Sequence, residues 1–185
     1  MNRRVSSYLA LAVFAAADAQ GAGAFQLTSP DIAEGGKIDM KHVYDSFGCT
    51  GANLSPELHW SDPPAGTKSF AVLAHDPDAP TGGAGFWHWL VVDIPPDVRS
   101  LKRGAGEPSG KQLPAGAHQL ENDFGDKAYG GPCPPPGAPH RYVFTVYALK
   151  IDKLGDAAHG RTAIAGFTVN HNAIAIASIT ALFGR

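Results

Sequence analysis

Three apolar stretches of the sequence carry a polar, ionisable group at one end, and this arrangement most constrains the fold. Residues 69–74 lead into Asp76-Pro77-Asp78-Ala79-Pro80, residues 86–94 begin Phe-Trp-His-Trp, and residues 140–149 begin His-Arg-Tyr after a proline-glycine run. Short apolar runs bounded by turn residues favour β-strands, and strand ends are where a rigid scaffold can hold a side chain in a pocket. The pattern predicts a strand-rich fold with one small site for an anionic ligand.

The loop after the first stretch is predicted to be stiff. Residues 69–74 are almost continuously apolar, which suits a strand buried on both faces. Pro77 restricts Asp76 to an extended conformation, and Pro80 limits the loop again. Asp76 and Asp78 would therefore lose little conformational freedom when a ligand binds.

Alternation along the other two strands places two histidines on faces that are otherwise largely apolar. Side chains on a strand alternate between its faces. One face of residues 86–94 would hold Phe86, His88, Leu90 and Val92, and the other Trp87, Trp89, Val91 and Asp93. One face of residues 140–149 would hold His140, Tyr142, Phe144, Val146 and Ala148. A single histidine among apolar neighbours is usually a core residue, but two of them near a restricted aspartate favour a binding site.

The first residues resemble an export signal. Arg3 and Arg4 precede an apolar run over residues 8–17, and Ala17-Asp18-Ala19 offers small residues for cleavage. We predict a signal peptide over residues 1–19, cleavage after Ala19, and a periplasmic or secreted protein. The alternative is an N-terminal core helix, because the run is too short for a transmembrane anchor in the mature chain.

Residues 20–185 have the length of one domain. The formal net charge of the chain is -2, which gives no indication of nucleic-acid binding. The 22 glycines and 15 prolines lie between apolar runs without a fixed period, so they are interpreted as turns. Cys49 and Cys133 are the two cysteines, and in an oxidising compartment they favour a disulfide over two separate buried thiols. Residues 174–183 fit a helix or a strand equally well.

The motifs resemble those of the phosphatidylethanolamine-binding protein family, also called Raf kinase inhibitor-like. The matching segments are Asp-Pro-Asp-Ala-Pro at 76–80, Trp-His-Trp at 87–89 and Gly-Ala-Pro-His-Arg-Tyr at 137–142. Further segments are similar to its bacterial YbhB/YbcL branch: Phe-Gly-Cys-Thr-Gly at 47–51, Asn-Leu-Ser-Pro at 53–56, Pro-Ala-Gly-Thr-Lys-Ser-Phe at 64–70 and Asn-Asp-Phe-Gly at 122–125. The resemblance covers roughly residues 25–185.

This resemblance implies a mostly β fold: a β-sandwich of two antiparallel sheets, with a parallel crossover and one or two short helices. It implies a short helix before about Ala173 and a strand after it. It also implies a shallow anion pocket with residues 130–137 as its rim. The residues predicted to bind the ligand are Asp76, Asp78, Pro80, His88, Gly131, Pro134, His140 and Tyr142.

The predicted function is recognition of an anion without catalysis. A phosphate, a carboxylate or a phospholipid head group would accept hydrogen bonds from one or both imidazoles and from Tyr142, while Asp76 orients one histidine and favours its protonated form. No cofactor, resident metal or catalytic residue is expected. The resemblance also implies a possible protein partner, through inhibition of a kinase or a protease.

Two other classes of function are compatible with the sequence. One aspartate and two histidines could form a metal-dependent enzyme site, although compact metal signatures, a Gly-x-Ser-x-Gly elbow and a phosphate-binding glycine loop are absent from the sequence. The chain could instead be an interaction protein that acts through residues 102–118, which have the composition of an exposed loop.

Overall fold

Eight β-strands and one α-helix form the regular structure of residues 23–159 and 161–185, which the computed structural model describes. The strands are β1 (Gln26–Thr28), β2 (Leu58–Ser61), β3 (Ser69–Asp76), β4 (Phe86–Ile94), β5 (Ser100–Leu101), β6 (His118–Gln119), β7 (His140–Leu149) and β8 (Ala173–Phe183). The helix α1 spans Thr162–Asn172, and short 3-10 helices span Met40–His42 and Gly155–His159. The predicted signal peptide lies outside the described residues.

The strands pair in two antiparallel sheets, which confirms the predicted fold class. One sheet has the order β6-β4-β3-β7-β8 and the other the order β1-β2-β5. Within the described residues, parallel pairing is limited to one bridge between Lys37 and Leu182. Because β3 lies between β4 and β7 and both pairings are antiparallel, the end of β3 lies beside the starts of β4 and β7. The polar ends of all three apolar stretches therefore meet at one edge of the sheet.

Residues of β3 are buried on both faces, as predicted. Phe70 and Val72 pack in the core between the two sheets, whereas Ala71 and Leu73 pack in a second core beneath α1. All four are at most 1% exposed. Full burial of an apolar side chain contributes about 1.5 to 3 kcal/mol, so this strand is a rigid support for the loop that follows it.

The predicted alternation along β4 is broken twice, at register shifts opposite Phe70/Val72 and opposite Ala74/His75 of β3. Ala74 pairs with Trp89 and His75 pairs with Trp87, so His88 is the extra residue of a β-bulge. The bulge turns two consecutive side chains, those of His88 and Trp89, toward the same side of the sheet.

The bulge divides the predicted face into two sets. His88 lies beside Tyr142, on the side of the core between the sheets. Leu90 and Val92 instead pack with Trp87 in the core beneath α1. The prediction for β7 is confirmed, because Tyr142 and the alternate residues after it all pack between the sheets. The bulge is therefore what allows His88 to meet Tyr142.

The C-terminal region is a helix followed by a strand. α1 ends at Asn172, and β8 continues directly from Ala173 to Phe183, paired with β7 along its length. The boundary implied by the resemblance is confirmed, and a helix over residues 174–183 is wrong. Within the described residues, no helix is long and apolar enough to cross a membrane.

A disulfide joins two loops that are distant in the sequence. Cys49 is bonded to Cys133 across 84 residues, as predicted. Because Cys133 belongs to the segment 130–137, the bridge ties the predicted rim to residues 46–51.

The loop 102–118 is less exposed than its composition suggested. Ala105 and Gly106 are buried, and the Gly106 N–H donates to the Ser55 hydroxyl oxygen over 2.9 Å. The Gly106 carbonyl accepts from the Tyr129 N–H. These bonds fix Ala105 and Gly106 to the body of the protein, whereas exposed residues lie on either side of them.

Candidate functional site

Asp76 and His140 form a hydrogen-bonded pair at the sheet edge. Asp76 is the last residue of β3 and is 3% exposed, and His140 is the first residue of β7. The Nδ1 atom of His140 donates to the Asp76 Oδ2 atom over 2.7 Å. The second carboxylate oxygen accepts from the Asp78 N–H over 2.8 Å. A carboxylate only accepts, so the pairing places a proton on Nδ1 and leaves Nε2 of His140 for a ligand.

His88 is held by a second bond of the same kind. Its Nδ1 atom donates to the Gly130 carbonyl over 2.7 Å, while its own carbonyl, displaced by the bulge, accepts from the Gly130 N–H over 2.9 Å. Burial lowers the pKa of His88 to about 4, so the ring is neutral at physiological pH. In this tautomer, Nε2 carries a lone pair and acts as an acceptor.

Tyr142 supplies a hydroxyl group without a bonding partner among the described residues. The hydroxyl oxygen is buried, and the ring lies edge-on to the His88 ring with 5.1 Å between centroids. Burial, reinforced by the nearby Asp76 charge, raises the pKa of Tyr142 well above its ordinary value, so the group keeps its proton. An unpaired buried hydroxyl costs roughly 1 to 3 kcal/mol, which makes it a candidate ligand donor.

These groups line one cavity of about 360 Å³. Four other clefts, of about 420 to 580 Å³, are larger, but none of them is lined by Asp76, His88 or Tyr142. The chemistry rather than the volume identifies the site. The cavity is lined by Phe47, Asp76, Ala79, Pro80, Thr81, Phe86, His88, Asp123, Phe124, Cys133, Pro134, Pro135, His140 and Tyr142.

Six of the eight residues predicted to bind the ligand line this cavity. They are Asp76, Pro80, His88, Pro134, His140 and Tyr142. The lining contains no lysine or arginine. A negative ligand would therefore depend on a protonated histidine for its ionic partner.

The structure does not place Asp78 in the cavity lining. Its carboxylate accepts from the Arg141 guanidinium over 2.7 and 2.9 Å and from the Arg141 N–H over 2.9 Å. Hydrogen bonds from the Arg141 side chain hold the pKa of Asp78 at about 2. Asp78 thus fixes the start of β7, beside His140, and its predicted contact with a ligand is not supported by this position.

Gly131 is also outside the cavity lining. Its N–H donates to the Asn53 side-chain oxygen over 2.8 Å, and a Cβ atom at this position would lie 2.2 Å from the His42 carbonyl oxygen. A glycine is required here because another segment of backbone passes against it. The role of Gly131 is packing behind the rim.

Three phenylalanines that were not assigned to the site form much of its wall. They are Phe47, Phe86 and Phe124. The motifs at 47–51 and 122–125 contain two of them, and that was the available signal. Phe124 is positioned by Asn122, whose side-chain oxygen accepts from the Phe124 N–H over 2.9 Å.

The candidate metal ligands of the cavity are Asp76, His88 and His140. Across residues 23–159 and 161–185, no group of three histidine, cysteine or acidic side chains is arranged to hold a metal ion. Asp76 and both histidines share the cavity, but Nδ1 of each imidazole is already bonded within the protein.

The sequence of this chain is similar to those of several known proteins. The family model described as phosphatidylethanolamine-binding protein matches residues 28–184. The UPF0098 protein YbcL of Escherichia coli is 48% identical over 97% of this chain and 96% of its own length. YbhB of the same organism is 47% identical over 85% of this chain and 99% of its own.

The fold is similar to that of a solved structure, and the sequence is also similar to that of a mycobacterial protein. The crystal structure of E. coli YbcL, described there as a new member of the mammalian PEBP family, matches with a TM-score of 0.85 over 88% of this chain and 99% of that one. A Mycobacterium tuberculosis protein named "Putative lipoprotein LppC" is 39% identical over 77% of this chain and 64% of its own.

Proposed function

The chain belongs to the phosphatidylethanolamine-binding protein family, and from that premise we propose that its cavity binds a small anionic group without making or breaking a covalent bond. The group would be a phosphate or a carboxylate, free or as part of a phospholipid head group. The observation that carries the proposal is the bond between His140 Nδ1 and the buried Asp76 carboxylate.

The pair at the sheet edge would supply a cationic donor to the ligand. While His140 is protonated, Nδ1 donates to Asp76 and Nε2 donates to a ligand oxygen. Asp76 both fixes the ring orientation and balances its charge. Since the lining contains no lysine or arginine and the His88 ring is neutral, the anion's ionic partner is this imidazolium.

His88 would accept a hydrogen bond from the ligand, whereas His140 would donate one. With its Nδ1 proton directed to Gly130, neutral His88 accepts at Nε2. A ligand that carries both a charged oxygen and a protonated oxygen, such as a phosphate monoanion, matches His140 and His88 together. This refines the expectation that one or both imidazoles donate. Tyr142 adds a neutral donor, which would satisfy its buried hydroxyl group.

The proposed location is outside the cytoplasm. The disulfide between Cys49 and Cys133 suits an oxidising compartment. The name of the M. tuberculosis relative is consistent with an extracytoplasmic protein. Modulation of a kinase or a protease would require a protein partner that presents a phosphate or carboxylate to the same donors.

Calorimetric titration with inorganic phosphate at pH 5.5 tests the proposed anion site. Replacing His140 by alanine should weaken binding about tenfold or more, because a charge-assisted hydrogen bond is lost. His171→Ala is the matched control, since His171 lies on α1 and outside the cavity lining. Absence of binding to the unmodified protein, or equal binding by His140→Ala, would overturn the proposal.

Elemental analysis of the same preparation tests the non-catalytic part. Protein purified without chelator is expected to bind phosphate with no stoichiometric iron, zinc or manganese. A metal at one equivalent that is lost in His140→Ala but kept in His171→Ala would instead favour a metal-dependent enzyme.

A further inference from the structure

A line of aromatic rings runs from the mouth of the cavity to its base. Phe47 lies 5.7 Å from Phe124, and Phe124 lies 4.7 Å from Phe86 and 5.4 Å from His88, between ring centroids. We call Phe47, Phe86 and Phe124 the aromatic wall. All three line the cavity. The polar atoms of Asp76 and His140 occupy the other part of the lining.

The cavity is larger than an inorganic anion requires. Its volume of about 360 Å³ corresponds to about twelve waters at roughly 30 Å³ each. A phosphate of five heavy atoms replaces only some of that volume. The remaining space lies along the aromatic wall, where a second part of the ligand would lose contact with water.

Phe47 occupies a turn that does not favour phenylalanine. The Cys49 N–H donates to the Ser46 carbonyl over 2.9 Å, and the two central residues have positive φ, 53° for Phe47 and 80° for Gly48. Turns with two left-handed central residues are best satisfied by Asn-Gly. A bulky residue at the first central position is unfavourable for the backbone. The turn itself therefore gives no reason for this side chain.

Packing gives only a partial reason. Phe47 is 71% exposed, although its ring stacks on Tyr44 at 5.9 Å. Its position is nevertheless fixed, because Cys49 in the same turn is bonded to Cys133, which also lines the cavity. An exposed ring is thus held at the mouth of the site on a backbone that would favour another residue.

We infer that the cavity accepts an anion attached to a flat aromatic ring, such as an aryl phosphate, and that Phe47 determines this preference. The inference rests on the proposed anion site. The anionic group would lie by His140 and Tyr142, and the ring would stack along the aromatic wall under Phe47. Stacking between rings adds attraction beyond the area that is buried.

Three phosphate monoesters test this inference by calorimetry at pH 5. Methyl phosphate has no ring, cyclohexyl phosphate has six carbons that are not flat, and phenyl phosphate has six that are. Phenyl phosphate should bind about tenfold more tightly than methyl phosphate and more tightly than cyclohexyl phosphate. Equal binding of phenyl and cyclohexyl phosphate would overturn the inference and leave the anion site standing. Absence of binding by all three esters would overturn both.

The variants separate the role of Phe47 from a merely structural one. Phe47→Asn creates the favoured Asn-Gly turn, so it should melt at the same temperature as the unmodified protein or higher, yet lose the preference for phenyl phosphate. Phe47→Tyr should keep that preference. Phe167→Asn is the matched control, since Phe167 is 67% exposed on α1 and outside the lining. A preference that survives in Phe47→Asn, or is lost equally in Phe167→Asn, would overturn the role given to Phe47.

Discussion

The imidazole Nδ1 atom of His88 lies 2.7 Å from the carbonyl oxygen of Gly130, and this contact determines how the buried histidine meets a ligand. The carbonyl can only accept, so the ring donates from Nδ1 and offers a lone pair at Nε2. His140 has the same arrangement toward Asp76, but its partner is charged. Two histidines in one cavity therefore have different roles.

A preference for phosphate over sulfate follows from the His88 tautomer. At pH 5, phosphate carries protonated oxygens that can donate to His88 Nε2, whereas sulfate carries none. Bound sulfate would leave the buried Nε2 acceptor of His88 unpaired or facing another acceptor, which costs roughly 1 to 3 kcal/mol. Phosphate should therefore bind about tenfold more tightly than sulfate. Competition calorimetry measures the ratio. Nitrogen-15 spectra of the imidazole should show a protonated Nδ1 in His88 from pH 5 to 8, and a protonated Nε2 would contradict the assignment.

The stability of the fold should also depend on His88. Its pKa is lowered from 6.5 to about 4 in the folded state, so the unfolded chain binds more protons between these values. The free energy of unfolding should be fully retained above pH 6.5 and should fall by roughly 3 kcal/mol as pH decreases to 4. Urea unfolding at several pH values measures this change. His88→Gln should flatten the curve in that window, and an unchanged slope would place the titration elsewhere.

The strands and the polar cavity residues at their ends could be predicted, whereas the faces of β4 could not. Apolar runs and flanking prolines mark Asp76 and His140 because their effects are local in sequence. The bulge at His88 depends on a remote loop, since the Gly130 N–H and the Asn122 side chain bond to the displaced carbonyl. The alternating pattern of Phe-Trp-His-Trp gives no information about these two hydrogen-bond partners.

The position of two predicted ligand residues outside the lining and the presence of the aromatic wall have the same explanation. Asp78 follows the same proline rule as Asp76, but the neighbouring Arg141 holds its carboxylate outside the cavity lining. Gly131 lies in a glycine- and proline-rich segment, which is typical of a ligand-binding loop, but another backbone segment packs against it. Phe47 and Phe124 come from loops whose path is set by the disulfide and by Asn122. Which loop side chains enter a cavity is a tertiary property that local patterns do not specify.

Removing the disulfide should weaken both the fold and the site. Cys49 and Cys133 close a loop over a separation of 84 residues, and the chain-entropy account gives about 4 to 5 kcal/mol for loops of this size. Because Cys133 and Pro134 line the cavity, the double variant Cys49→Ser, Cys133→Ser should bind phosphate less tightly as well. Urea unfolding and calorimetry measure the two effects. Unchanged phosphate affinity in a folded double variant would show that the rim does not need the bridge.

A buried aspartate outside the cavity lining should make a large charge contribution to stability. The side chain of Asp31 is fully buried and accepts from the Arg103 guanidinium over 2.6 to 3.0 Å and from the Lys41 ammonium over 2.9 Å. Burial alone would raise the pKa of Asp31, but these bonds and one from the Glu57 N–H outweigh it and hold the pKa well below its ordinary value. The free energy contributed by the ionised form is therefore present above about pH 4 and is lost in stronger acid.

Asp31→Asn should lower the free energy of unfolding by about 1 to 3 kcal/mol at pH 7, because it removes the buried charge that accepts from Arg103, Lys41 and the Glu57 N–H, whereas the two cations left behind are partly exposed and can be solvated. The matched control is Asp152→Asn, which removes an exposed ion pair with Lys68 at 3.9 Å and should change stability by less than about 1 kcal/mol. Urea unfolding of both variants at pH 7 measures the difference. If the two variants were equally stable, the network around Asp31 would be no more important than a surface pair, and the link between its burial and the fold would be wrong.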